Sequence, residues 1–571
     1  MKNLFTTLWL NLSLKRKWQA LGLILFSFIT SLFEVFTVGS LFDLFSYLTN
    51  INKSSTLEIN NSSNIMSLFN LELQSNNVFL FFIMFLIIAC VSRIILLWMM
   101  LRFSHTIGND MGILMFGKIL RQPMEFHFSA PTSEIISNLT KKIHILSMEI
   151  VHPIILVSSN IIIISVVLAY LLYNTGIEVL IILILLVLIF YFFWLTSKSK
   201  ILQNSKIIAQ NSDLLVKIIS ETISAIKLIS MTKNYSIFTN KFGIVNKSMK
   251  FAEGDNVFLS QSIRIWLELI LIIFGALFCL FSIKSGIFFN VLPLLGGLAF
   301  GVYRLMPLIL KAYSGFATIM GAKESFNDIL NYMTLENRSS QITNNLKFLN
   351  FKQELILNNV SYNYPLKVVP SINSISCIIK KNQVTGVVGK TGSGKTTLIS
   401  LIAGLISPSQ GELLIDNKIL NESNKHAWQN KISIVPQETI IIDGTISDNI
   451  SLILDKEVES EKLKKVLEIT KLEKFIPYLN SNKIMGERGI KISGGERQRI
   501  GLARSLYDDK EIIILDEPFS ALDKKTAEEI LLNMKNYKDY TIIVVTHDKF
   551  LIPFCDKLIT LYDGKIKKPK K

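Results

Sequence analysis

Gly389-Lys390-Thr391-Gly392-Ser393-Gly394-Lys395-Thr396 is the stretch that decides the fold of the second half of this 571-residue chain. It follows the apolar run Gln383–Val388 and precedes a segment with helical periodicity. This order matches the P-loop pattern, in which glycines let backbone N–H groups turn inward around phosphate oxygens. Lys395 then supplies a positive charge to the β and γ oxygens, and Thr396 offers a hydroxyl to Mg²⁺. The pattern therefore predicts a loop that binds a nucleotide together with Mg²⁺.

Two adjacent carboxylates, Asp516 and Glu517, end the apolar run that begins at Ile512, about 120 residues after the P-loop. In P-loop ATPases one carboxylate holds Mg²⁺ and the next orients or deprotonates the attacking water. Adjacent acids after a strand usually belong to a solvated loop, but the upstream P-loop favours a catalytic pair. We therefore expect Asp516 to serve the metal and Glu517 to act on water.

Short Val- and Ile-rich strands alternate with helical segments in this half of the chain, as at Gln383–Val388, Glu511–Leu515 and Thr541–Val545. This alternation predicts an α/β domain with a parallel sheet. The polar stretch Glu336–Lys347, rich in Asn, Ser and Gln, is typical of a linker. We expect a linker at residues 321–350 and an ATPase domain at residues 351–571.

Half of the residues in the chain are hydrophobic and only 18% are charged. The apolar residues are concentrated in long runs within the first 312 positions. A bilayer core of about 30 Å needs about 20 apolar residues in a helix. Six segments come close to or exceed that length: Leu21–Leu48, Val78–Leu101, Pro153–Tyr173, Val179–Leu195, Val257–Phe281 and Ile287–Leu310. Residues 1–320 are therefore predicted to form an all-α domain with six membrane spans.

The excess of 60 Lys and Arg over 44 Asp and Glu fits a membrane protein better than a nucleic-acid partner. Ser197–Asp255 carries nine Lys against four acidic residues, whereas Asn50–Asn76 carries one Lys against two Glu. By the positive-inside rule the Lys-rich side is cytoplasmic, together with both termini and the ATPase domain. Short transverse helices that touch a partner are expected at Pro123–Asn138 and Ser220–Ile237.

The octapeptide Ile492-Ser493-Gly494-Gly495-Glu496-Arg497-Gln498-Arg499 lies between the P-loop and the two carboxylates. It resembles the LSGGQ element that defines ABC ATPases. Tyr364 resembles the aromatic residue that stacks on adenine in that family, Gln437 the Q-loop glutamine, Ser520–Asp523 the D-loop and His547 the switch histidine. The whole second domain is thus similar to an ABC ATPase.

The resemblance implies a complete ATP site. Catalysis would fall to Glu517, His547 and Gln437, and Mg²⁺ would be bound through Thr396, Gln437 and Asp516. ATP would be bound by these residues: Tyr364, Gly389, Lys390, Thr391, Gly392, Ser393, Gly394, Lys395, Thr396, Thr397, Ser493, Gly494, Gly495 and Asp523. In this family the Ser-Gly-Gly of one subunit closes over the γ-phosphate bound by the other. A head-to-tail dimer is implied, and because Glu517 and His547 are intact, a homodimer would hydrolyse ATP at both sites.

Two residues depart from the family's LSGGQ element. Ile492 replaces Leu with little change of volume, and Glu496 replaces Gln. We expect Glu496 to bring a negative charge near the triphosphate and so to alter the tuning of the site without inactivating it. Gly486–Gly489 resembles the segment through which exporters contact their coupling helices. That likeness, with the membrane domain first and the ATPase second, favours export over import.

Charges inside or near the ends of the predicted spans are the clue to the substrate, since a charge at the bilayer centre costs about 2.5–3.5 kcal/mol on insertion scales. We take four residues as candidates for contact with an anionic substrate: Arg93, Arg264, Arg304 and Glu34. Alternatively, Arg264 pairs with Glu268 four residues on, and Arg93 and Arg304 extend to the headgroup region. These charges and the run Tyr303–Pro307 resemble bacterial ABC flippases for lipid-linked oligosaccharides, which implies a polyprenyl-pyrophosphate glycan as cargo.

The chain is therefore expected to be an ATP-hydrolysing exporter or flippase of the bacterial inner membrane, in contact with membrane lipid. Its cargo would be a lipid-linked oligosaccharide or another anionic amphipathic molecule. The apolar group Ile65–Leu71 in the outer loop would either meet the polyprenyl tail or pack on the spans. A peptide, bacteriocin or drug exporter is the alternative. An ATP-gated channel or sensor is a further alternative of a different class, disfavoured by the intact Glu517.

Overall fold

A computed structural model describes residues 9–10, 12–51, 75–175, 178–284, 288–335, 350–364, 369–452, 459–479 and 492–567. The chain divides into two compact units. The membrane unit comprises Met1–Arg121 and Ser129–Glu336, and the ATPase unit comprises Gln122–Phe128 and Asn337–Lys571.

Three sequence predictions concern residues outside the described ranges. They are the linker at Glu336–Lys347, the segment Gly486–Gly489 and the apolar group Ile65–Leu71. The structure leaves these three as predictions.

The described part of the membrane unit is helical. Its helices are α1 (Leu14–Ile51), α2 (Ser75–Leu120), α4 (Thr132–Ser137), α5 (His152–Thr175), α6 (Glu178–Ser224), α7 (Ile226–Thr232), α8 (Tyr235–Lys284), α9 (Phe288–Gly321) and α10 (Lys323–Met333). The short helix α3 (Met124–Ser129) lies between α2 and α4 in the sequence, and most of it belongs to the ATPase unit. Two π-helical stretches, Asn138–Lys142 and Leu146–Val151, flank the α-turn Ile143–Ile145 between α4 and α5. Helices suit these sequences because a lipid environment offers no other partner for backbone N–H and C=O groups.

Five predicted spans fall within one long helix each, α1, α2, α5, α6 or α8, and the described part of the sixth, from Phe288 on, falls within α9. The helical membrane domain is therefore confirmed. Among the described residues, four stretches are long and apolar enough to cross a bilayer: Leu14–Leu41, Phe79–Leu120, Thr132–Tyr173 and Tyr235–Leu277. A fifth results if Tyr303–Gly321 and Lys323–Met333, which meet at a bend of 56°, form one broken span. The predicted short helices are present as α3, α4 and α7.

A buried lysine joins three segments of the membrane unit. Lys142, in the first π-helical stretch, is only 1% exposed, and its Nζ lies 2.9 Å from Asp213 Oδ2 and 2.7 Å from Asp328 Oδ2. Asp213 belongs to α6 and Asp328 to α10. Since a buried ammonium is costly without a counter-charge, these two carboxylates fix the three segments against one another.

The ATPase unit contains two sheets. Its strands are β1 (Glu354–Tyr362), β2 (Ile372–Lys380), β3 (Val384–Gly389), β4 (Gln410–Ile415), β5 (Lys418–Ile419), β6 (Ile432–Val435), β7 (Ile512–Asp516), β8 (Thr541–Val545), β9 (Lys557–Tyr562) and β10 (Lys565–Ile566). An antiparallel sheet has the order β2-β1-β4-β5, and a second sheet has the order β10-β9-β3-β8-β7-β6. All neighbours in the second sheet are parallel except β10 and β9. The predicted parallel-sheet domain is therefore confirmed.

Helices cover both faces of the parallel sheet. They are α11 (Lys395–Ile402), α12 (Lys425–Gln429), α13 (Ile446–Ser451), α14 (Ser460–Ile469), α15 (Gly494–Tyr507) and α16 (Lys524–Tyr537), with 3₁₀ turns at Glu473–Tyr478 and Lys549–Phe554.

Successive side chains of β7 enter two different cores, as the twofold period of a strand requires. Ile514 packs in a core with Leu398 of α11, whereas Leu515 packs in a core with Ile500 of α15. A strand buried on both faces must be apolar throughout, which explains the unbroken run Ile512–Leu515. The P-loop helix α11 and the helix α15 therefore lie on opposite faces of one sheet.

Candidate functional site

The P-loop lies between the end of β3 and the start of α11. Lys395 Nζ donates to the carbonyl oxygens of Gly389, at 2.9 Å, and Lys390, at 3.3 Å, and these bonds fold the ammonium over the loop. Gly394 has φ 99°, and a Cβ there would lie 2.6 Å from the carbonyl oxygen of Ser371. Glycine is thus required both by the backbone angle and by space. The loop has the backbone and the cation that a phosphate site needs.

Three side chains from neighbouring parallel strands meet beside the P-loop. Gln437 follows β6, Glu517 follows β7 and His547 follows β8. Gln437 Nε2 donates to Glu517 Oε2 at 3.0 Å, and His547 Nδ1 lies 3.4 Å from Glu517 Oε1. Because β3 pairs with β8, and β8 with β7, this cluster stands at the same sheet edge as the P-loop. The structure thus brings together the three residues predicted for catalysis.

The backbone of Glu517 is unusual, with φ 49° in the left-handed region that non-glycine residues seldom adopt. Its N–H donates to the carbonyl oxygen of Val545 at 3.0 Å, which anchors the turn to β8. Strained backbone of this kind often occurs at functional sites, where the surrounding structure holds a side chain in one direction. Here it directs the carboxylate to Gln437 and His547.

Asp516, the last residue of β7, is half-buried. Burial raises its pKa, the charge of Glu517 raises it further, and Lys395 acts in the opposite direction. A carboxylate with an elevated pKa gains from a nearby cation, and oxygen ligands from Asp, Thr and Gln suit Mg²⁺. In the part of the chain that the structure describes, no group of three or more His, Cys, Asp or Glu residues forms a metal cage.

Tyr364, predicted to stack on adenine, is held from several sides. Its hydroxyl lies 3.4 Å from Thr397 Oγ1 in α11. The rings of Tyr362 and Phe128 meet its ring edge to face, with centroids 5.0 and 5.8 Å away. Phe128 lies in the Gln122–Phe128 segment of the ATPase unit. These contacts fix the ring that the sequence proposes as the adenine platform.

Ser493 begins α15 as its N-cap, and Glu496 completes a capping box. Ser493 Oγ accepts from the N–H of Glu496 at 3.3 Å, and the N–H of Ser493 donates to Glu496 Oε2 at 2.7 Å. Glu496 is only 8% exposed, and its other carboxylate oxygen pairs with Lys474. Lys474 and the cap therefore engage this carboxylate within the chain, and the effect of Glu496 on the triphosphate stays a prediction.

The start of α15 packs tightly on the D-loop Ser520–Asp523. Gln498 Nε2 donates to Ser520 Oγ at 2.6 Å, and its Oε1 accepts from the N–H of Ala521 at 2.9 Å. A Cβ on Gly495 would lie 3.0 Å from the carbonyl oxygen of Ala521, so a larger residue would press on the D-loop. Asp523 caps α16 by accepting from the N–H of Thr526 at 2.9 Å, and that bond lowers its pKa.

The charged residues predicted to line a substrate path are ion-paired. Glu34 is fully buried and pairs with Arg93 of α2 and with Arg304 of α9, the latter at 2.6 Å to Nε and 3.3 Å to Nη2. One carboxylate thus faces two guanidinium groups, which leaves this cluster with one positive charge. Arg264 pairs with Glu268 at 2.8 Å, as the four-residue spacing allows.

Four residues that make structural contacts in or near the predicted sites were not identified as candidates from the sequence. They are Phe128, Lys142, Lys474 and Gln498, each defined by a contact with a residue distant along the chain. Gln498 stands in the quoted octapeptide, so its position was a signal that residue-by-residue matching could have used. Phe128 lies in the predicted transverse helix Pro123–Asn138, but nothing in that segment indicates its contact with Tyr364. Lys142 and Lys474 lie in segments without a distinguishing pattern.

Comparison with known families assigns both halves of the chain. Residues 21–286 match the family model described as "ABC transporter transmembrane region", and residues 372–520 match the one described as "ABC transporter". Both lie within the domains predicted from the sequence.

Several curated proteins are similar to this chain. The multidrug resistance-like ATP-binding protein MdlA of Buchnera aphidicola is 36% identical over 222 residues, which is 38% of each protein. The alpha-hemolysin translocation ATP-binding protein HlyB of Proteus vulgaris is 32% identical over 307 residues, 53% of this chain and 41% of that protein. The lactococcin-G-processing and transport ATP-binding protein LagD of Lactococcus lactis is 32% identical over 43% of this chain and 34% of its own length. The chain thus covers less than half the length of each.

The fold comparison extends over nearly the whole molecule. The solved structure of a bacterial Atm1-family ABC exporter with ATP bound superposes with a TM-score of 0.78, covers 97% of this chain and 94% of its own, and is 17% identical. At that identity the likeness concerns the fold. The chain therefore joins an ABC transporter transmembrane region to an ABC transporter ATP-binding domain, in the fold of an ABC exporter.

Proposed function

We propose that the chain is one half of a homodimeric exporter of the bacterial inner membrane that couples ATP hydrolysis to transport. The observation that carries this proposal is the convergence of Gln437 and His547 on Glu517 at the sheet edge that bears the P-loop. An arrangement with a carboxylate, a histidine and a phosphate-binding lysine supports hydrolysis rather than nucleotide binding alone.

In the proposed reaction Lys395 stabilises charge on the β and γ phosphates, and Tyr364 holds the adenine. Glu517 accepts the proton of the attacking water, while Gln437 and His547 orient the carboxylate and the transferred phosphoryl group. Mg²⁺, held through Thr396, Gln437 and Asp516, would neutralise phosphate charge. The remaining predicted ATP-binding residues contribute backbone N–H groups or short polar side chains around the phosphates.

A second copy of the chain completes each site in this proposal. Ser493 stands at the N-terminus of α15, which covers the opposite face of the sheet from α11, so the P-loop and the Ser-Gly-Gly of one chain belong to different faces. Backbone N–H groups at a helix start suit the γ-phosphate of a nucleotide bound by the partner. Exposed apolar residues near α7, such as Leu228 and Met231, 65% and 84% exposed, offer the membrane unit a surface for the same partner.

For the substrate we propose an anionic amphipathic molecule, with a lipid-linked oligosaccharide as first choice. The residual positive charge of the Glu34, Arg93 and Arg304 cluster supports an anion. A polypeptide or drug is the second candidate, because the names of similar proteins refer to hemolysin translocation, lactococcin-G transport and multidrug resistance.

Reconstitution into liposomes tests these proposals. A fluorescent polyprenyl-pyrophosphate lipid and a fluorescent amphipathic peptide are offered in parallel, with ATP and with a non-hydrolysable analogue. ATP-dependent movement of the lipid, reduced by Arg93→Gln and Arg304→Gln more than basal hydrolysis is, supports the first choice. Movement of the peptide alone supports the second. Hydrolysis without movement of either probe would contradict the lipid and the polypeptide as cargo, and an ATP-gated ion conductance would replace them with a channel.

A further inference from the structure

An apolar groove opens on the side of the membrane unit near the start of α1. Its cavity volume is about 190 Å³, and it lies between α1, α2 and the beginning of α5. Leu23 of α1, Ile107 of α2 and Val151, which ends the π-helical stretch before α5, line it and are nearly inaccessible to solvent. The groove is thus built within a single unit, by residues that also hold the three helices together.

The groove extends along α1 from Ala20 to Ser27, a distance of about 10 Å at the rise of an α-helix. Of the three serines that line it, Ser159 has a buried hydroxyl without a partner among the described residues. Ser27 and Ser158 donate to the carbonyl oxygens of residues four positions earlier. Their hydroxyl groups are therefore satisfied locally and present small surfaces to the groove. Such a lining favours a hydrocarbon chain and gives no array of donors for a polar ligand.

Cationic and aromatic groups lie at the end of the groove nearest the start of α1. Trp9 lines it, and the ammonium of Lys17 lies 5.7 Å from the centre of the Trp9 ring. Arg16 is neutralised by Asp110 at 2.7 Å, so Lys17 and the exposed Lys15 supply the net positive charge. Tryptophan and lysine in this position are typical of the headgroup level of a membrane. Apolar groove and basic rim together match the two ends of an anionic phospholipid.

We infer that this groove binds one acyl chain of an anionic phospholipid from the cytoplasmic leaflet, with Lys17 at the phosphate. Outside the groove α1 carries the exposed apolar residues Leu21, Leu25 and Phe28. The acyl chain therefore enters the groove from a surface that suits lipid. The cavity is too small for another helix, whose diameter with side chains is about 10–12 Å. The inference depends on the membrane spans and on the basic rim, and is independent of the cargo.

Photochemical labelling of the full-length protein in nanodiscs tests this site. The probes are phosphatidylglycerol and phosphatidylcholine, each with a diazirine in the acyl chain, and labelled peptides are mapped by mass spectrometry. Phosphatidylglycerol is expected to label Phe103–Ile107 and Ile154–Ser159 above the lipid-exposed stretch Ile94–Trp98. Ser158→Trp should fill the groove and remove this excess, whereas Leu25→Trp, on the exposed face of α1, should retain it.

Lys17→Gln should lower the labelling by phosphatidylglycerol about fivefold, the factor expected for one lysine near an anionic lipid, and leave labelling by phosphatidylcholine unchanged. Basal ATPase activity and gel-filtration position verify that each variant is folded. Undiminished groove labelling in Ser158→Trp, or equal labelling by the two lipids, would overturn the inference. Cross-linking of a photoreactive residue at position 24 to a second copy in place of lipid would also refute it.

Discussion

Removal of the Glu34 carboxylate is expected to destabilise the membrane unit more than removal of either arginine that it pairs with. The Glu34 side chain is fully buried, and those of Arg304 and Arg93 are 13% and 31% exposed. In Glu34→Gln two guanidinium groups face each other without a counter-charge. Breaking a buried pair in this way costs about 3–5 kcal/mol, and the partial exposure of Arg93 favours the lower end.

Arg93→Gln leaves the charges of the cluster balanced, unlike Glu34→Gln. Glu34 keeps both of its bonds to Arg304, at 2.6 and 3.3 Å, so the pair that remains is neutral. The cost should stay within about 1 kcal/mol, the range of a partly solvated ion pair. In Glu34→Gln combined with Arg93→Gln only one arginine is left, and part of the stability lost in Glu34→Gln should return.

Thermal unfolding of the purified protein in detergent, followed by fluorescence-detected gel filtration, measures these differences. A loss of about 3 kcal/mol corresponds to a midpoint lower by roughly 6–12 °C for a unit of this order of size. Exposed Arg264→Gln serves as the matched control and should shift the midpoint little. Equal shifts for Glu34→Gln and Arg93→Gln, or a double variant less stable than Glu34→Gln, would refute this account of the cluster.

Four further predictions concern the ATPase unit. Glu517→Gln should lower hydrolysis by about 10²–10⁴-fold, the usual share of a general base, while ATP binding persists, as phosphate release and nucleotide binding will measure. Glu496→Gln should change the free energy of unfolding by no more than about 1 kcal/mol, because its partner Lys474 is 59% exposed. Glu496→Ala leaves the N–H of Ser493 without its acceptor and should cost about 1–3 kcal/mol, as measured by chemical denaturation. Phe128→Ala removes an aromatic pair worth about 0.5–1.5 kcal/mol, so the KM for ATP should rise roughly two- to tenfold with kcat retained. Gly394→Ala forces a side chain to φ 99° and against a carbonyl oxygen, and nucleotide binding should be lost.

Each of these predictions has a contradictory outcome. Hydrolysis near the parental rate in Glu517→Gln would remove that residue from its role as base. Equal destabilisation by Gln and Ala at position 496 would show that the capping box contributes little. Phe128→Leu should restore part of the affinity, and a fall in kcat with unchanged KM would exclude a positioning role. Parental affinity for ATP in Gly394→Ala would mean that the loop relaxes more readily than its geometry implies.

Features that depend on local order along the chain could be predicted from the sequence. The strand Thr541–Val545 was placed correctly, and the strands before the P-loop and before Glu517 were each placed within one residue. Strand, loop and helix are specified by neighbouring residues, and the carboxyl ends of parallel strands meet at one edge. The resemblance to ABC ATPases predicted a shared catalytic role for Gln437, Glu517 and His547, and their places after neighbouring parallel strands explain why they meet.

Pairings between distant helices could not be predicted in this way. The positions of Glu34 and Arg304 are 270 residues apart, and the sequence pattern of an apolar span does not tell which face meets which neighbour. The ion pair of Glu496 could not be predicted for a similar reason, because its partner Lys474 lies in a 3₁₀ turn with no motif of its own. Phe128 likewise becomes informative only when its ring is seen against Tyr364.

The position of α11 and α15 on opposite faces of one sheet has a consequence for genetics. In the proposed dimer, Lys395→Ala and Ser493→Ala each damage both sites when every chain carries the same change. In a mixed dimer with one change on each chain, the two lesions fall in the same site and the other site is intact. Two alleles that are inactive alone should therefore complement each other when expressed together, and both changes placed on one chain should not complement either.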